Sequence, residues 1–442
     1  MSRVFTHNFR RIAPLCLTVI SLYYLYVHVP TGEIIHDKTI LYLPTSTCDI
    51  TPSLQEVFVM VKTGACEDYE RLITQSKTSL QCVPSSSIAY YSDLEEQVGS
   101  IHLRDTFNGS VDQWYIDTDD EFILYKKMLE QGSCKGITKE DMQAADPRKG
   151  LNGNNDNRGW NLDKWKFLPM ADITYSLQSN KKWYIEIEVD TYPIWRNVFN
   201  FLANLDHEHD YYIGSPMFVA GVAFIYGGSG AIISQSAMRK VVDHIRENTT
   251  DLQKFTHDNW AGDHVMGKTL KDVGVGHTTM SREFVRDSTI GADYSFHWCT
   301  AALSFHHVTA EEAVAFHEFE TQWFGKFSTQ IMRHKDIFHG YILPQLEGLS
   351  TEIDWDNNAR DDASNHPHFN STFESCKEIC LAASDCVQYR FAYGKCYTTK
   401  FPQIGRREPY SRSGWLPDRA RKWADDHKPC TRNDEEWSPH NQ

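Results

Sequence analysis

Glu188 and Asp190 close the run Trp183-Tyr184-Ile185-Glu186-Ile187-Glu188-Val189-Asp190. Its apolar, β-branched and aromatic content predicts a buried strand, and residues two apart on a strand share a face. Carboxylates at the carboxyl end of a strand in an open α/β sheet lie where such sheets bind ligands. Their oxygens suit a hard divalent cation, which can in turn grip a diphosphate. The chain has 59 acidic residues, so an acidic pair at this spacing is also cheap by chance, and the surrounding elements must decide.

Those elements alternate. Glu56 to Gly64 reads as a buried strand closing on a glycine turn, Cys66 to Leu80 as a helix, and Ser87 to Asp93 as a second strand ending in an acid. Strand, helix, strand within so few residues argues for a parallel sheet. A helix between Asp117 and Gln131 leads to a Gly/Asn-rich loop, Gly150 to Gly159, and an amphipathic helix from Trp160 to Gln178 delivers the chain into the acidic strand. Val219 to Tyr226 and Leu303 to Val308 read as further strands. Gly227-Gly228-Ser229-Gly230 opens a helix starting near Ser234, Trp260 to Asp272 forms another, and Thr309 with Glu312 has capping-box chemistry for a third.

The ends place the chain. Ile12 to Val29 is uncharged and just long enough to span a hydrocarbon core, with Arg3, Arg10 and Arg11 before it and Glu33 and Asp37 after it. This predicts a cytosolic tail (1–11), a signal-anchor (12–29) and a stem (30–53), with the remainder lumenal. Ten cysteines outside the anchor, and sequons at Asn108, Asn248 and Asn370, agree with an oxidising, glycosylating compartment. Net charge is -15, with no basic stripe, which argues against a nucleic-acid partner. Acidic, Asn-rich composition over 346–368 predicts a linker between a large domain (54–345) and a C-terminal module (369–442). Within that module Cys376, Cys380, Cys386 and Cys396 crowd together. Disulfides fit an oxidising compartment better than zinc, because no histidine follows at ligand spacing.

Taken together, Lys62-Thr63-Gly64, Tyr91-Ser92-Asp93, Glu188-Val189-Asp190, the 227–230 glycine loop and Ser304-Phe305-His306, in that order, resemble the fringe-like glycosyltransferases of family 31. The likeness is to the branch related to core 1 β-1,3-galactosyltransferase and covers about Gln55 to Phe327. The terminal cysteines resemble a PAN/Apple module, which implies Cys376–Cys396 and Cys380–Cys386 pairs. The resemblance implies a GT-A-like, Rossmann-type α/β fold with a mostly parallel sheet flanked by helices, plus a small disulfide-rich α+β module.

It also implies chemistry. Asp190 and His306 would hold Mn²⁺, with Glu188 adding an oxygen directly or through water. An O/N ligand set suits Mn²⁺ better than Mg²⁺. Strand alternation lets only one of His306 and His307 face the site, and the motif selects His306. Asp263, at the start of the Trp260–Asp272 helix, falls on the family's Asp in Glu-Asp-x-x-x-Gly and would be the base; outside the family it would read as a helix cap. Thr63, Arg71, Asp93, Lys164 and Gly228 are the candidate UDP-sugar contacts, with Trp260 and Trp195 as sugar platforms. Gly262 stands where relatives carry the acid, and His264 is a candidate substitute. The expected protein is a Golgi, type II, Mn²⁺-dependent inverting hexosyltransferase, moving galactose or another hexose from a UDP-sugar to a glycan or glycoprotein in β-1,3 linkage, with room for a homodimer. The alternative is an inactive, membrane-anchored glycan-binding protein acting through the same fold or its terminal module. Cys66 with Cys82 is the expected bracket of the first helix.

Overall fold

The computed structural model describes residues 50–441, apart from 68, 144–156, 220, 329–330, 428, 432–436 and 438–439. The expected tail, the span Ile12–Val29 and the stem up to residue 49 lie outside these. No helix among the described residues is long and apolar enough to cross a membrane.

The chain is mixed α/β. Its central sheet runs His440–Asn441, His277–Thr279, Tyr212–Gly214, Ala231–Ser234, Trp183–Glu188, Val57–Lys62, Ile88–Ser92, Ile101–Asp105, Glu96–Val98. Trp183–Glu188, Val57–Lys62, Ile88–Ser92 and Ile101–Asp105 are parallel neighbours, while Ala231–Ser234 runs against both strands it joins. Alternation along the inner strands divides their side chains between two cores. Phe58, Met60 and Tyr184 face helices Phe167–Leu177, Gln235–Glu247 and Gly262–Asp272. Val57, Val59, Val61, Ile185 and Ile187 face Trp195–Leu202. Burial of both faces is why these strands read as continuous apolar runs.

Several elements differ from the sequence reading. The helix expected from Trp160 to Gln178 is two helices, Arg158–Asp163 and Phe167–Leu177. The break turns Lys164 and Lys166 inward, where Glu121 and Asp163 take their ammonium groups at 2.8 Å each. The glycine loop leads first into the strand Ala231–Ser234, and only then does Ser234 cap the helix Gln235–Glu247. The single strand expected over 219–226 is a hairpin, Pro216–Val219 with Val222–Ile225, turning at Gly221, whose φ of +79° favours glycine. The Thr309 capping box forms as expected and starts Ala310–Lys326.

The 346–368 segment is not a bare linker. Thr351–Asp356 is the edge strand of a five-stranded sheet, beside Arg406–Trp415, and Asp361–Asp362 closes the far side. An edge strand with most side chains in water carries little apolar signal, so composition alone hid it. Helix Phe373–Ala382 packs on this sheet, and Cys376–Cys396 and Cys380–Cys386 are bonded as the resemblance implied. Cys66 pairs with Cys134, not Cys82. The intervening helix, Tyr69–Lys77, is about 14 Å long at 1.5 Å per residue, whereas bonded cysteines need Cα atoms within about 7 Å. Cys299–Cys430 fastens the C-terminal segment to the larger part, and Ile404, Trp415, Ala420 and Ala424 share a core with Phe338 and Leu346.

A candidate metal and base site at the end of the central strand

The acidic strand ends at Glu188, and Asp190 lies in the turn beyond it. Alternation therefore does not set its direction. The turn is fixed by Thr191 N–H donating to Glu188 O at 3.0 Å, and by the Gln75 amide donating to the carbonyls of Glu188 and Thr191. A short sheet then pairs Phe305 with Tyr192, and Val308 N–H donates to Asp190 O at 3.0 Å. These pairings carry His306 to the turn.

His306 Nε2 lies 3.2 Å from Asp190 Oδ1 and 3.6 Å from Glu188 Oε2, yet the nitrogen makes no well-aligned hydrogen bond. Burial opposes a charged His306 ring, but the Asp190 and Glu188 carboxylates outweigh it and raise the group to about 9. Desolvation likewise works against an ionised Asp190, and His306 and His307 hold it well below the usual carboxylate range. Once the His306 ring gives up its proton, these converging groups offer the oxygen and nitrogen donors that a divalent cation takes.

His307 joins them, against the expectation that only one histidine could. Its φ of +57° takes it out of extended backbone, so strand alternation no longer separates the two rings. Their centroids are 3.8 Å apart, and His307 Nδ1 lies 3.6 Å from Asp190 Oδ2. Asp190, His306 and His307 offer ligand atoms all within 4.8 Å of one another.

Gly228 is built into the site. A Cβ on it would stand 2.5 Å from His306 Cε1 and 2.6 Å from Nε2, so the loop touches the ring through backbone alone. Thr191 Oγ1 secures this by donating to Gly228 O at 2.7 Å. The neighbouring Gly227 N–H favours the charged form of the Asp263 carboxylate, which accepts from His264 N at 2.9 Å. One glycine loop thus links the histidine to the candidate base. Burial raises Asp263 to about 6, even though both N–H groups favour its charged form. Beneath the loop, buried Glu186 has an unpartnered Oε1 facing Gly227 and is raised by desolvation to about 8.

Gly262 has a structural reason. A Cβ there would lie 2.0 Å from the Phe167 ring and 2.9 Å from Lys164 Cα, so no acid fits at this position. His264 does not replace it, because its ring packs against Phe224 and Phe255.

The other candidates divide. Arg71 reaches the site, its Nη1 3.7 Å from Asp190 Oδ2 and its side chain 44% exposed. Thr63 and Asp93 are buried and engaged: Thr63 Oγ1 donates to Glu67, and Asp93 Oδ1 accepts from Ala65 N. They shape the first turn rather than present free groups. Lys164 is corrected outright: its ammonium is spent on Glu121 and on the carbonyls of His257 and Asn259. Trp195 is a core residue whose indole N–H donates to Ser79 O.

Sequence reasoning missed Lys62, which sits 3.0 Å from Glu188 and 2.8 Å from Asp163. The signal exists only across strands, where Lys62 and Glu188 are paired neighbours. It also missed Tyr226, whose hydroxyl lies 3.2 Å from His306 Nδ1. No protein-family model matches this chain, and a search of curated proteins finds no match either.

Proposed function

We propose that the chain is a Mn²⁺-dependent inverting glycosyltransferase that moves a hexose, with galactose the first choice, from a UDP-sugar to a glycan hydroxyl in β-1,3 linkage. We place it as a type II Golgi membrane protein. The observation that carries the reading is the gathering of Asp190, His306 and His307 ligand atoms within 4.8 Å of one another, with Gly228 packed on His306 and the adjacent Gly227 N–H favouring a charged Asp263. A diphosphate-neutralising centre and a general base on adjacent backbone positions are what a one-step displacement needs.

Asp190 and His306 would hold the ion, with Glu188 and His307 flanking it. Bound Mn²⁺ would supply Lewis-acid stabilisation of charge on the departing diphosphate. Arg71, beside Asp190 and half-exposed, adds a cation for the same oxygens. Lys62 neutralises Glu188 and keeps that carboxylate ionised. Asp263, poised near neutrality by burial, takes the acceptor hydroxyl proton as the new C–O bond forms and the bond to the β-phosphate oxygen breaks. Attack opposite the leaving group inverts the anomeric centre.

The test is UDP release by the full chain over a panel of UDP-sugars, with Mn²⁺ and with chelator. Asp190→Ala is expected to lose metal-dependent UDP binding, whereas Asp263→Asn should bind UDP and fail to transfer. Transfer by Asp263→Asn at the parent rate sinks the base assignment, and failure of every UDP-sugar to bind sinks the whole reading in favour of a glycan-binding protein.

A further inference from the structure

A cleft of about 650 Å³ lies between the larger part and the C-terminal module, within the ~300–1,000 Å³ range of small-molecule sites. Its walls are fastened together. Gly405 N–H donates to Ile290 O, Gln403 and Asn358 amides reach Gly291 O, and Cys299–Cys430 and a shared apolar core lie behind. The cleft is therefore preformed.

Its floor holds an unanswered acceptor. His334 is 1% exposed, and its Nε2 lies 2.9 Å from Arg282 O, which can only accept. Nε2 must carry the proton, so Nδ1 presents a lone pair, and that atom has no partner among the described residues. Desolvation drops this ring to about 3, so it stays neutral. His297 Nδ1, on the same wall, is also buried and unpartnered. The Asp293 carboxylate lines the cleft as a further acceptor. The His334 lone pair calls for a ligand with hydroxyl donors, and the lining carboxylates of Asp287, Asp293 and Asp361 outnumber the Arg286 and Arg360 cations, which disfavours an anion.

The two walls together supply an apolar shelf. Phe401 is 38% exposed and lines the cleft, and Phe296, 71% exposed, lies 6.1 Å from it between ring centroids. Two exposed phenylalanines beside buried acceptors match a ligand with C–H faces and hydroxyl edges. Arg286, at the inner end, stacks over Tyr226, which touches His306, and His306 N–H donates to the carbonyls of Val285 and Asp287. Val285, Arg286 and Asp287 of the cleft wall therefore connect to the candidate metal centre through Tyr226 and the His306 backbone.

We propose that the cleft between the α/β part and the cysteine module is a binding site for a neutral oligosaccharide. That this glycan is the acceptor rests on the transferase reading; that the cleft binds it does not. The test uses the full chain in detergent with an array of neutral and acidic oligosaccharides, in chelator. Parent protein is expected to bind at least one neutral glycan without metal. Phe401→Ala and His297→Ala, one on each wall, should each weaken that binding by about tenfold. The proposal is overturned if no neutral glycan binds, if only acidic ones do, or if both variants match the parent. Glycan binding with no UDP binding would sink the transferase reading and leave this site standing.

Discussion

Replacing Gly228 with alanine puts one methyl group against His306. Its carbon would stand 2.5, 2.6 and 3.0 Å from three ring atoms, whereas carbon contacts settle at ~3.5–4.0 Å, so ring or loop must retreat by about 1 Å. The ring has nowhere to go: it is buried, with Tyr226 at Nδ1 and the tilted His307 ring 3.8 Å away. The loop is equally held, through Thr191 on Gly228 O and Gly230 N–H on Gly227 O. Overpacking of this kind costs about 1–3 kcal/mol in stability. A shift of that size also spoils a ligand, and disturbing the support of a metal site costs about 10–100-fold in affinity. The assay is Mn²⁺ titration of the full chain, read by calorimetry or by the spin resonance of free Mn²⁺. Gly325→Ala, in the helix Ala310–Lys326 with no atom within 4 Å of the new carbon, is the control and should bind as the parent does. Unchanged Mn²⁺ affinity in Gly228→Ala would refute the placement of the metal on His306.

Four further outcomes follow from the same geometry. Since Asp263 acts unprotonated and burial raises it to about 6, transfer should fall by about tenfold per pH unit below that value, and a flat profile from pH 5 to 7 would rule it out as base. Glu186 is raised from 4.5 to about 8, so its contribution to stability is intact below 4.5 and is lost as pH climbs through 8. Glu186→Gln should therefore raise the melting temperature at pH 8 and leave it unchanged at pH 4. Asp163→Asn leaves the buried ammonium groups of Lys62 and Lys166 without their 2.8 Å carboxylate; loss of about 3–5 kcal/mol is expected in denaturant unfolding. Cys299→Ser opens a loop spanning 131 residues, for which about 2–5 kcal/mol is expected, with earlier proteolysis of the C-terminal segment as the readout.

What could be read from residues alone followed from local rules. Apolar runs fixed the inner strands, because burial on both faces needs nothing beyond side-chain type. The Thr309 box marked its helix, because its partners are three residues apart. Asp190, His306 and Asp263 stood out as candidates through their motifs, and the first two do converge, at 3.2 Å. Tertiary structure decided what depends on neighbours distant in sequence or on single backbone angles. His307 entered the site through one left-handed residue, which no spacing rule anticipates. Lys164 left it because Glu121 and two carbonyls far along the chain claim its three protons. Gly262 excludes an acid because Phe167 fills the space where a side chain would begin. Cys66 chose Cys134 because a helix holds Cys82 too far away. Sequence sets which groups are present and what each can do; packing sets which of them are left free to do it.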